Sequence, residues 1–503
     1  MRPPQIRASF LRPDELVVDN FAGGGGASTG IEAAIGRPVD IAINHDRAAI
    51  AMHEANHPET RHFCEDIWSV DPVVACGSRP VGLAWFSPDC THFSRAKGTA
   101  PVKKEIRGLA DVVIRWAKAV RPRVIVLENV EEFQTWGPLN DQQRPDPARA
   151  GEDFRRWMGE LSDTGYRIDR RSLIAADYGT PTIRKRLFVV ARCDDGALVW
   201  PDATHGKARL APWRPASEII DWSLPCPSIF ERPRPLAEAT LRRIAAGVWR
   251  YVINAGAPFI VPATNRGELA LMAPTLIQTG YGERPGQRPR SLDLGSPLGT
   301  VVAGGAKHAL VAALLTKHYG GMVGHGIDRT IGTVTSRDHH ALTTATLEAL
   351  DAESAEAHFL TKFHGTSIGS AMNDPTPTVL AGGNHLGAVR AFLVKYYGGG
   401  DAPESQLQAP GDPLHTVTTR ARFGLVTIHG QPYQIVDIGM RMLSPRELFD
   451  AMGFPHDYDI TPEFRGKPLT KTAQIEKAGN AVCPQLAEAV VSANLRGSSQ
   501  WAA

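Results

Sequence analysis

Leu16-Val-Val-Asp19 is a short apolar stretch that leads directly into the glycine-rich turn Phe21-Ala-Gly-Gly-Gly-Gly26. The apolar stretch predicts a strand, and residues 27–35 predict a helix that ends at Gly36. Consecutive glycines let backbone N–H groups approach a ligand and direct the N-terminus of the next helix at it. This unit therefore predicts a site for a nucleotide-like cofactor. The strict dinucleotide pattern Gly-x-Gly-x-x-Gly is incomplete, because Ser28 stands where its third glycine would fall.

The alternation of apolar strands and helices continues through the first 200 residues. Further strands are predicted at 39–43, 81–86, 124–127 and 187–191, and helices up to 56 and over 106–120. Continuous apolar strands separated by helices predict a parallel sheet covered on both faces, so the fold class is α/β, Rossmann-like and mostly parallel. Ligands of such sheets bind at the carboxyl ends of the strands, where Asp19, Cys90 and Glu128 all fall.

Cys90 and Glu128 suggest a particular chemistry. The cysteine lies in Phe86-Ser-Pro-Asp-Cys-Thr-His-Phe-Ser94, and the glutamate begins Glu128-Asn-Val130. A thiol and a carboxylic acid at the ends of two strands of one sheet can attack a ring carbon while protonating the ring. This combination suits the covalent activation of a pyrimidine.

The composition is that of a globular protein with two or three domains. The chain has 503 residues, of which 43% are hydrophobic and 21% charged. Its net charge of +2 means that a nucleic-acid site must come from local clusters of Lys and Arg. The six cysteines include no Cys-x-x-Cys pair, so neither a metal site nor a disulfide framework is expected. No stretch approaches the roughly 18 apolar residues of a spanning helix, and a cytoplasmic location is expected.

Six segments, all in family order, resemble the motifs of the cytosine-C5 DNA methyltransferases. They are residues 19–26 (cofactor loop), 86–94 (nucleophile loop), 128–130 (acid motif), 178–186 (Arg-x-Arg motif), and 441–455 and 479–482 (C-terminal motifs). A single match could arise by chance, but six in order are a specific signal. The resemblance implies an S-adenosylmethionine-dependent methyltransferase fold with a smaller, β-rich target-recognition domain. It also implies S-adenosyl-L-methionine as cofactor and double-stranded DNA as substrate.

The resemblance implies a role for individual residues as well. Cys90 would add to C6 of a flipped cytosine, Glu128 would hydrogen-bond N3 and the exocyclic amine, and Arg186 would contact O2, with Arg184 nearby. The residues expected to hold the cofactor are Phe21, Gly23, Gly24, Gly25, Gly26, Asn44, Asp66, Ile67 and Asn480.

The sequence departs from the family pattern at three positions. Asp89 lies between Pro88 and Cys90, and an acid beside the thiol opposes thiolate formation unless it points away. Asn44 stands where the family has an acidic residue for the cofactor ribose, and Thr182 replaces a glutamine before the arginine pair. The thiol, the acid and the arginines all persist, which favours a divergent enzyme over an inactive one.

The sequence predicts three parts. Residues 1–200 form the catalytic and cofactor-binding domain, 201–436 the target-recognition domain, and 437–503 return to the catalytic domain. Internal repeats run through the middle part: Thr-Val pairs begin at 300, 333, 378 and 416, and a second element recurs at 314–320, 359–365 and 392–398. The repeats predict short strands that contact DNA as a group, although packing is the favoured explanation for any single repeat residue.

Three functions remain open at this point. The first is a DNA cytosine-5 methyltransferase that acts as a monomer. It belongs either to a restriction-modification system, with a separate restriction endonuclease for the same site, or to a phage, or it is an orphan methylase. The second is a tRNA cytosine-5 methyltransferase, which the large repeated insert disfavours. The third is a catalytically impaired protein that binds DNA and cofactor, which the intact Cys90, Glu128 and Arg186 disfavour.

Overall fold

The computed structural model describes most of the chain outside two large gaps. The described residues are 10–88, 108–140, 142, 144–230, 232–248, 251–252, 261–262, 270–278, 287, 290–303, 307–317, 425–428 and 431–495. Cys90 and its loop therefore lie outside them, as do the repeat copies that begin at 333, 359, 378, 392 and 416.

The described residues form two compact units. The α/β unit comprises residues up to 221, 294–307 and those from 443 onward, and the β unit comprises 222–293 and 308–442. The predicted domain boundaries, after residues 200 and 436, remain a prediction. Within the described residues, no helix is long and apolar enough to cross a membrane.

A seven-stranded sheet forms the centre of the α/β unit. Its strands are β1 (Leu16–Asn20), β2 (Ile41–Ile43), β3 (Arg61–Phe63), β4 (Val81–Phe86), β5 (Val124–Asn129), β6 (Arg167–Ile174) and β7 (Lys185–Arg192). Their order across the sheet is β3-β2-β1-β4-β5-β7-β6, and only β7 runs against the other six. The predicted mostly parallel sheet is confirmed. The last predicted strand, read as one of a parallel series, is antiparallel to its neighbours.

Five helices connect these strands in the described residues. They are α1 (Gly26–Ile35), α2 (Arg47–Asn56), α3 (Pro72–Cys76), α4 (Asp111–Ala119) and α5 (Glu152–Asp163). The first ends as predicted at Gly36, which has a φ of 72°. Every residue of β4 and β5 is buried, as expected for strands covered on both faces. Two strands were not predicted, β3 and β6; both lie at sheet edges and carry charged, exposed residues in place of an apolar run.

The β unit is built on an antiparallel sheet. Its elements are α6 (Glu238–Val248), β8 (Val261–Pro262), β9 (Ala270–Gln278), β10 (Ser291–Leu292), β11 (His308–Lys317), β12 (Leu425–Ile428) and β13 (Gln431–Met442). The strands pair in the order β10-β9-β11-β13-β12, and α6 covers the core through Ile244 and Val248. The prediction of a β-rich second part is confirmed, and residues 314–317 of the second repeat element form the end of β11.

The C-terminal segment packs on the α/β unit. It forms α7 (Pro445–Ala451), the hairpin β14 (Glu463–Phe464) and β15 (Lys467–Pro468), then α8 (Lys471–Asn480) and α9 (Pro484–Asn494). Ser444 and Glu447 form a capping box at the start of α7. The last helix lies so close to α1 that a Cβ on Gly30 would come 2.1 Å from Pro484 O. This packing brings the two C-terminal motifs to the sheet.

Candidate active site

The first part of the site is the place where β4 and β5 end. Pro88, two residues beyond β4, is the last described residue before Cys90. The Asn129 side-chain amide, at the end of β5, donates a hydrogen bond of 3.2 Å to the carbonyl of Pro88. The start of the predicted nucleophile loop is thus tied to the residue that follows Glu128.

Glu128 is paired with Arg186 at this edge. The two side chains approach to 3.1 Å between Arg186 Nε and Glu128 Oε1, and only 8% of the glutamate side chain is exposed. Burial raises the pKa of Glu128; Arg186, Arg184 and a hydrogen bond with Ser87 offset this only in part. A carboxyl group with a raised pKa can hold a proton and donate it, as an acid acting on a pyrimidine nitrogen must.

Arg184 has a different environment from Arg186. Its side chain is buried, and Nη1 donates to the carbonyls of Val301 (2.9 Å) and Gly479 (3.1 Å). A Cβ on Gly479 would come 2.1 Å from the backbone of Val302, so only glycine permits this approach. In the structure Arg184 connects three separate segments of the chain. Its predicted part in catalysis remains a prediction.

A segment from the predicted target-recognition domain lies along the Arg-x-Arg motif. The amide of Ile183 donates to Leu298 O (2.9 Å), and the amide of Leu298 donates to Pro181 O (2.9 Å). The Thr182 hydroxyl donates to Gly299 O (3.2 Å). Residues 294–307, which include the start of the first repeat, therefore belong to the α/β unit. The sequence had assigned this stretch to the middle domain because its composition matches the rest of the insert.

The glycine turn packs against the C-terminal segment. A Cβ on Gly25, which has a φ of 92°, would lie 2.1 Å from the Tyr458 hydroxyl, and one on Gly26 would lie 2.2 Å from Val482 O. At Gly23, with a φ of 55°, the nearest atom would be 3.9 Å away. The sequence assigned these glycines to the close approach of a ligand. At positions 25 and 26 the neighbouring atoms belong to the protein itself, so packing already requires glycine there.

Two predicted cofactor residues end the neighbouring strands β2 and β3 with the same local turn. Asn44 Oδ1 accepts a hydrogen bond from the amide of Asp46 (2.8 Å), and Asp66 Oδ1 accepts one from the amide of Trp68 (2.8 Å). Such Asx turns fix the side chain against its own backbone. Because β2 and β3 are parallel neighbours, both side chains lie at the carboxyl edge of the sheet.

The remaining predicted cofactor residues lie at the ends of other elements. Phe21 follows β1, has a φ of 64° and packs partly against the core. Ile67 is buried, and Asn480 is the exposed last residue of α8. Phe21, Asn44 and the pair Asp66-Ile67 thus follow three neighbouring parallel strands, and Asn480 ends α8. The contact of the whole set with a cofactor remains a prediction.

A buried polar network behind the glycine turn was not predicted. Asp19 Oδ2 accepts from the Ser28 hydroxyl (2.8 Å), which lies 2.9 Å from His53 Nε2, and His53 Nδ1 lies 2.8 Å from His62 Nε2. Burial raises the pKa of Asp19 to about 7, although the Ser28 hydrogen bond opposes this. Burial also lowers the pKa of His53 well below its ordinary value, as does the neighbouring His57.

His57 extends the network to the C-terminal segment. Its Nδ1 lies 2.9 Å from Glu32 Oε2, and its Nε2 lies 3.3 Å from the Tyr458 hydroxyl, which donates to Gly24 O (2.6 Å). The spacing of His53 and His57, one helical turn apart, was the available sequence signal. Among the residues that the structure describes, no group of three or more His, Cys, Asp or Glu side chains is arranged to hold a metal ion.

The chain is similar in sequence to proteins of a known family. The family model described as "C-5 cytosine-specific DNA methylase" matches residues 16–209 and 371–496. The Type II methyltransferase M.SacI of Streptomyces achromogenes is 30% identical over 209 residues, which are 38% of this chain and 50% of that protein. M.AquIA of a Picosynechococcus species is 26% identical over 213 residues, 39% of this chain and 80% of that protein. The chain thus matches half the length of the first of these relatives.

Solved structures were compared as well. A DNMT2 mutant of Spodoptera frugiperda aligns with a TM-score of 0.45 and 11% identity, over 94% of this chain and 97% of that one. The Dnmt2 methyltransferase of S. pombe aligns with a TM-score of 0.41 and 13% identity, over 95% and 97%. The family match covers more than half of the chain and includes the glycine turn, Glu128 and both arginines. The chain belongs to the C-5 cytosine-specific DNA methylase family.

Proposed function

We propose that this protein is an S-adenosylmethionine-dependent DNA cytosine-5 methyltransferase that acts through a covalent Cys90 adduct on a flipped cytosine. The observation that carries the proposal is the buried pair of Glu128 and Arg186 at the end of β5. It lies beside the strand end from which the Cys90 loop begins. An acid with a raised pKa, an arginine and a thiol are the three groups that activation of cytosine requires.

The residues at the carboxyl edge fit an adenosyl cofactor. Asn44 and the exposed Asp66 offer oxygen acceptors for hydroxyl and amino groups, and both are held by Asx turns. At Gly23 a Cβ would meet only the carbonyl oxygen of Phe21 within 4 Å, at 3.9 Å, so this part of the turn is packed less tightly than Gly25 and Gly26. We assign the binding of S-adenosylmethionine to the set Phe21, Gly23, Gly24, Gly25, Gly26, Asn44, Asp66, Ile67 and Asn480. When bound, the cofactor supplies an electrophilic methyl group.

The chain's own residues would activate the base. C5 of cytosine is too weak a nucleophile to take a methyl group directly. The Cys90 thiolate adds to C6, while Glu128 protonates or hydrogen-bonds N3, and the ring electrons shift to make C5 enamine-like. Arg186 faces the charge that develops at O2. After methylation, loss of the C5 proton and of the thiolate restores the aromatic ring. The target base must leave the helix to reach these groups.

We assign target recognition to residues 201–436, which include the repeats and all of the β unit except its last residues, 437–442. The relatives M.SacI and M.AquIA bear the name Type II methyltransferase. By this likeness, we propose that the protein modifies a fixed DNA sequence that a separate endonuclease also recognises.

Bisulfite sequencing of DNA from cells that express the protein tests the proposal. We expect protected cytosines within one short sequence for the wild type and none for Cys90→Ala, whose lost sulfur removes the nucleophile. Purified protein with a methyl-labelled cofactor should label DNA in preference to tRNA. Label in tRNA alone would establish the second function considered above. Binding of DNA without label in either nucleic acid would establish the third.

A further inference from the structure

Lys477 is a charged side chain that the chemistry above does not use. It lies on α8, one helical turn before Asn480, and only 5% of the residue is exposed. A buried ammonium group is costly unless it is paired. Its nearest partner is the carboxylate of Asp46, to which Nζ donates, and Glu476 Oε1 lies 3.2 Å away.

Asp46 connects this lysine to the loop that carries Asn44. One oxygen of Asp46 caps α2 by accepting from the amide of Ala48 (2.9 Å), and the other accepts from Lys477. The backbone amide of Asp46 donates to Asn44 Oδ1 (2.8 Å). Burial raises the pKa of Asp46, but the hydrogen bond and charge of Lys477 outweigh this and lower it, so the pair is ionic.

The stem of Lys477 also supports the glycine turn. A Cβ on Gly24 would lie 3.2 Å from Lys477 Cβ and 3.0 Å from Met52 Sδ. The turn therefore rests directly on the lysine stem, while the ammonium group reaches the end of β2. The Lys477 side chain thus contacts both the glycine turn and the loop that carries Asn44. It also belongs to α8, the helix that ends at Asn480.

We infer that Lys477 is a positioning residue for the cofactor site: through Asp46 and Gly24 it fixes the relative positions of Asn44, the glycine turn and Asn480. The inference rests on the proposed function, because it concerns the same site. It predicts that loss of the pair weakens binding of the cofactor without altering the chemistry at Glu128.

The test measures binding of S-adenosylhomocysteine by calorimetry for the wild type, Lys477→Met and Asp46→Asn. Methionine keeps the apolar stem, and asparagine keeps the cap of α2. We expect each variant to bind roughly tenfold more weakly, the loss that corresponds to one hydrogen bond between charged groups. The double variant should lose no more affinity than the single variant with the larger loss, because both substitutions remove the same ion pair.

Arg37→Met provides a matched control. Arg37 and Asp40 form a partly buried pair of 2.8 Å just before β2, at the opposite edge of the sheet from Lys477 and Asp46. Its loss should reduce stability and leave the affinity for S-adenosylhomocysteine within about twofold, since it touches none of the assigned segments. Steady-state kinetics should show a raised KM for the cofactor in Lys477→Met, with an unchanged kcat and KM for DNA.

The outcomes separate the inference from the proposal on which it rests. If the wild type binds S-adenosylhomocysteine and both pair variants bind it equally well, the positioning role is wrong and the proposed function stands. An equal loss of affinity in Arg37→Met and Lys477→Met would also overturn the positioning role, because general destabilisation of the protein would then explain the weaker binding. If the wild type itself does not bind, the proposed function fails first. A melting curve for each variant identifies any that does not fold, and Asp46→Asn then decides.

Discussion

Glu15 and Glu128 are two buried glutamates of the same sheet, each beside an arginine, at opposite edges. Glu15 precedes β1 at the amino edge and is 2% exposed, and Glu128 lies near the end of β5 and is 6% exposed. Arg123 donates to both oxygens of Glu15, at 2.7 and 2.6 Å, and the amide of Arg12 donates a third bond of 2.9 Å. Glu128 lies 3.1 Å from Arg186, near the charge of Arg184, and forms a hydrogen bond with Ser87.

Because of this difference in hydrogen-bond donors, the pKa values of the two glutamates shift in opposite directions. Burial raises the pKa of Glu15, but the bonds from Arg123 and Arg12 outweigh it, and the net pKa is lowered. Burial also raises the pKa of Glu128, and there the arginines do not compensate. The first glutamate is a permanent anion that joins segments of the fold. The second has a raised pKa, which is the property that the proposed catalytic acid requires.

Glu128→Gln should produce the largest effect on activity. Glutamine still hydrogen-bonds the base but cannot supply a proton, so we expect kcat to fall by about 10²–10⁴-fold, the usual contribution of a general acid. The melting temperature should change little, because the neutral glutamine avoids the burial penalty that raises the pKa of Glu128. Single-turnover methylation and a melting curve on the same sample measure both. A stable variant with wild-type kcat would contradict the role of Glu128.

Glu15→Gln should show the opposite pattern. Removing the anion leaves Arg123, with 11% of its side chain exposed, beside Asp194 (3.2 Å) and the carbonyl of Phe10 (2.8 Å). Loss of one member of a buried pair costs roughly 3 kcal/mol or more, which urea denaturation should reveal. The activity of the folded fraction should remain that of the wild type. If the variant were as stable as the wild type, the Glu15–Arg123 pair would not have the structural role that distinguishes it from the Glu128–Arg186 pair.

Gly25→Ala tests the packing of the glycine turn independently of any ligand. Alanine would be strained at a φ of 92° and would clash with Tyr458, so we expect a loss of at least about 2 kcal/mol in the absence of cofactor. Gly466→Ala is the control, because it has a φ of 74° and no atom within 4 Å of its Cβ. It should show the strain alone, about 1 kcal/mol. Equal losses of stability in the two variants would mean that the Tyr458 side chain moves aside at little energetic cost.

Asp19→Asn should change the pH dependence of stability. The pKa of Asp19 is raised from 3.8 to about 7, so the folded state keeps a proton that the unfolded state releases. Its stabilising contribution is complete below pH 3.8 and is lost as the pH rises to about 7, with a slope of up to about 1.4 kcal/mol per pH unit. Asparagine lacks this term. The difference in unfolding free energy between wild type and variant should therefore change steadily across pH 4–7. If the two plots of unfolding free energy against pH ran parallel, Asp19 would not have a raised pKa in the folded state.

The apolar runs and glycine positions were sufficient to predict the centre of the fold. β1, α1, β4 and β5 lie where their patterns indicated, because buried parallel strands require continuous apolar residues. No comparable pattern indicates β6, whose edge position permits the charged stretch Arg167-Ile-Asp-Arg-Arg171. A local pattern of residues does not show whether a strand runs parallel or antiparallel to its neighbours. The antiparallel direction of β7 is therefore seen only in its pairing with β5.

The candidate site divides in the same way. Glu128 was recognisable because it ends an apolar strand within a motif. The connecting role of Arg184 depends on carbonyls 117 and 295 residues away along the chain. Likewise, Asp46 and Lys477 are separated by 431 residues, and no local pattern relates them. Long-range contacts of this kind follow from the tertiary fold.

Trapping with 5-fluorocytosine DNA is the most direct test of the central claim that Cys90 bonds to the target base beside Glu128. Fluorine at C5 blocks the final elimination, so an active enzyme remains attached to the DNA. We expect a denaturant-stable complex for the wild type in the presence of cofactor, with peptide mapping to Cys90, and none for Cys90→Ala. A complex that persists in Cys90→Ala, or methylation of ordinary DNA by that variant, would contradict it.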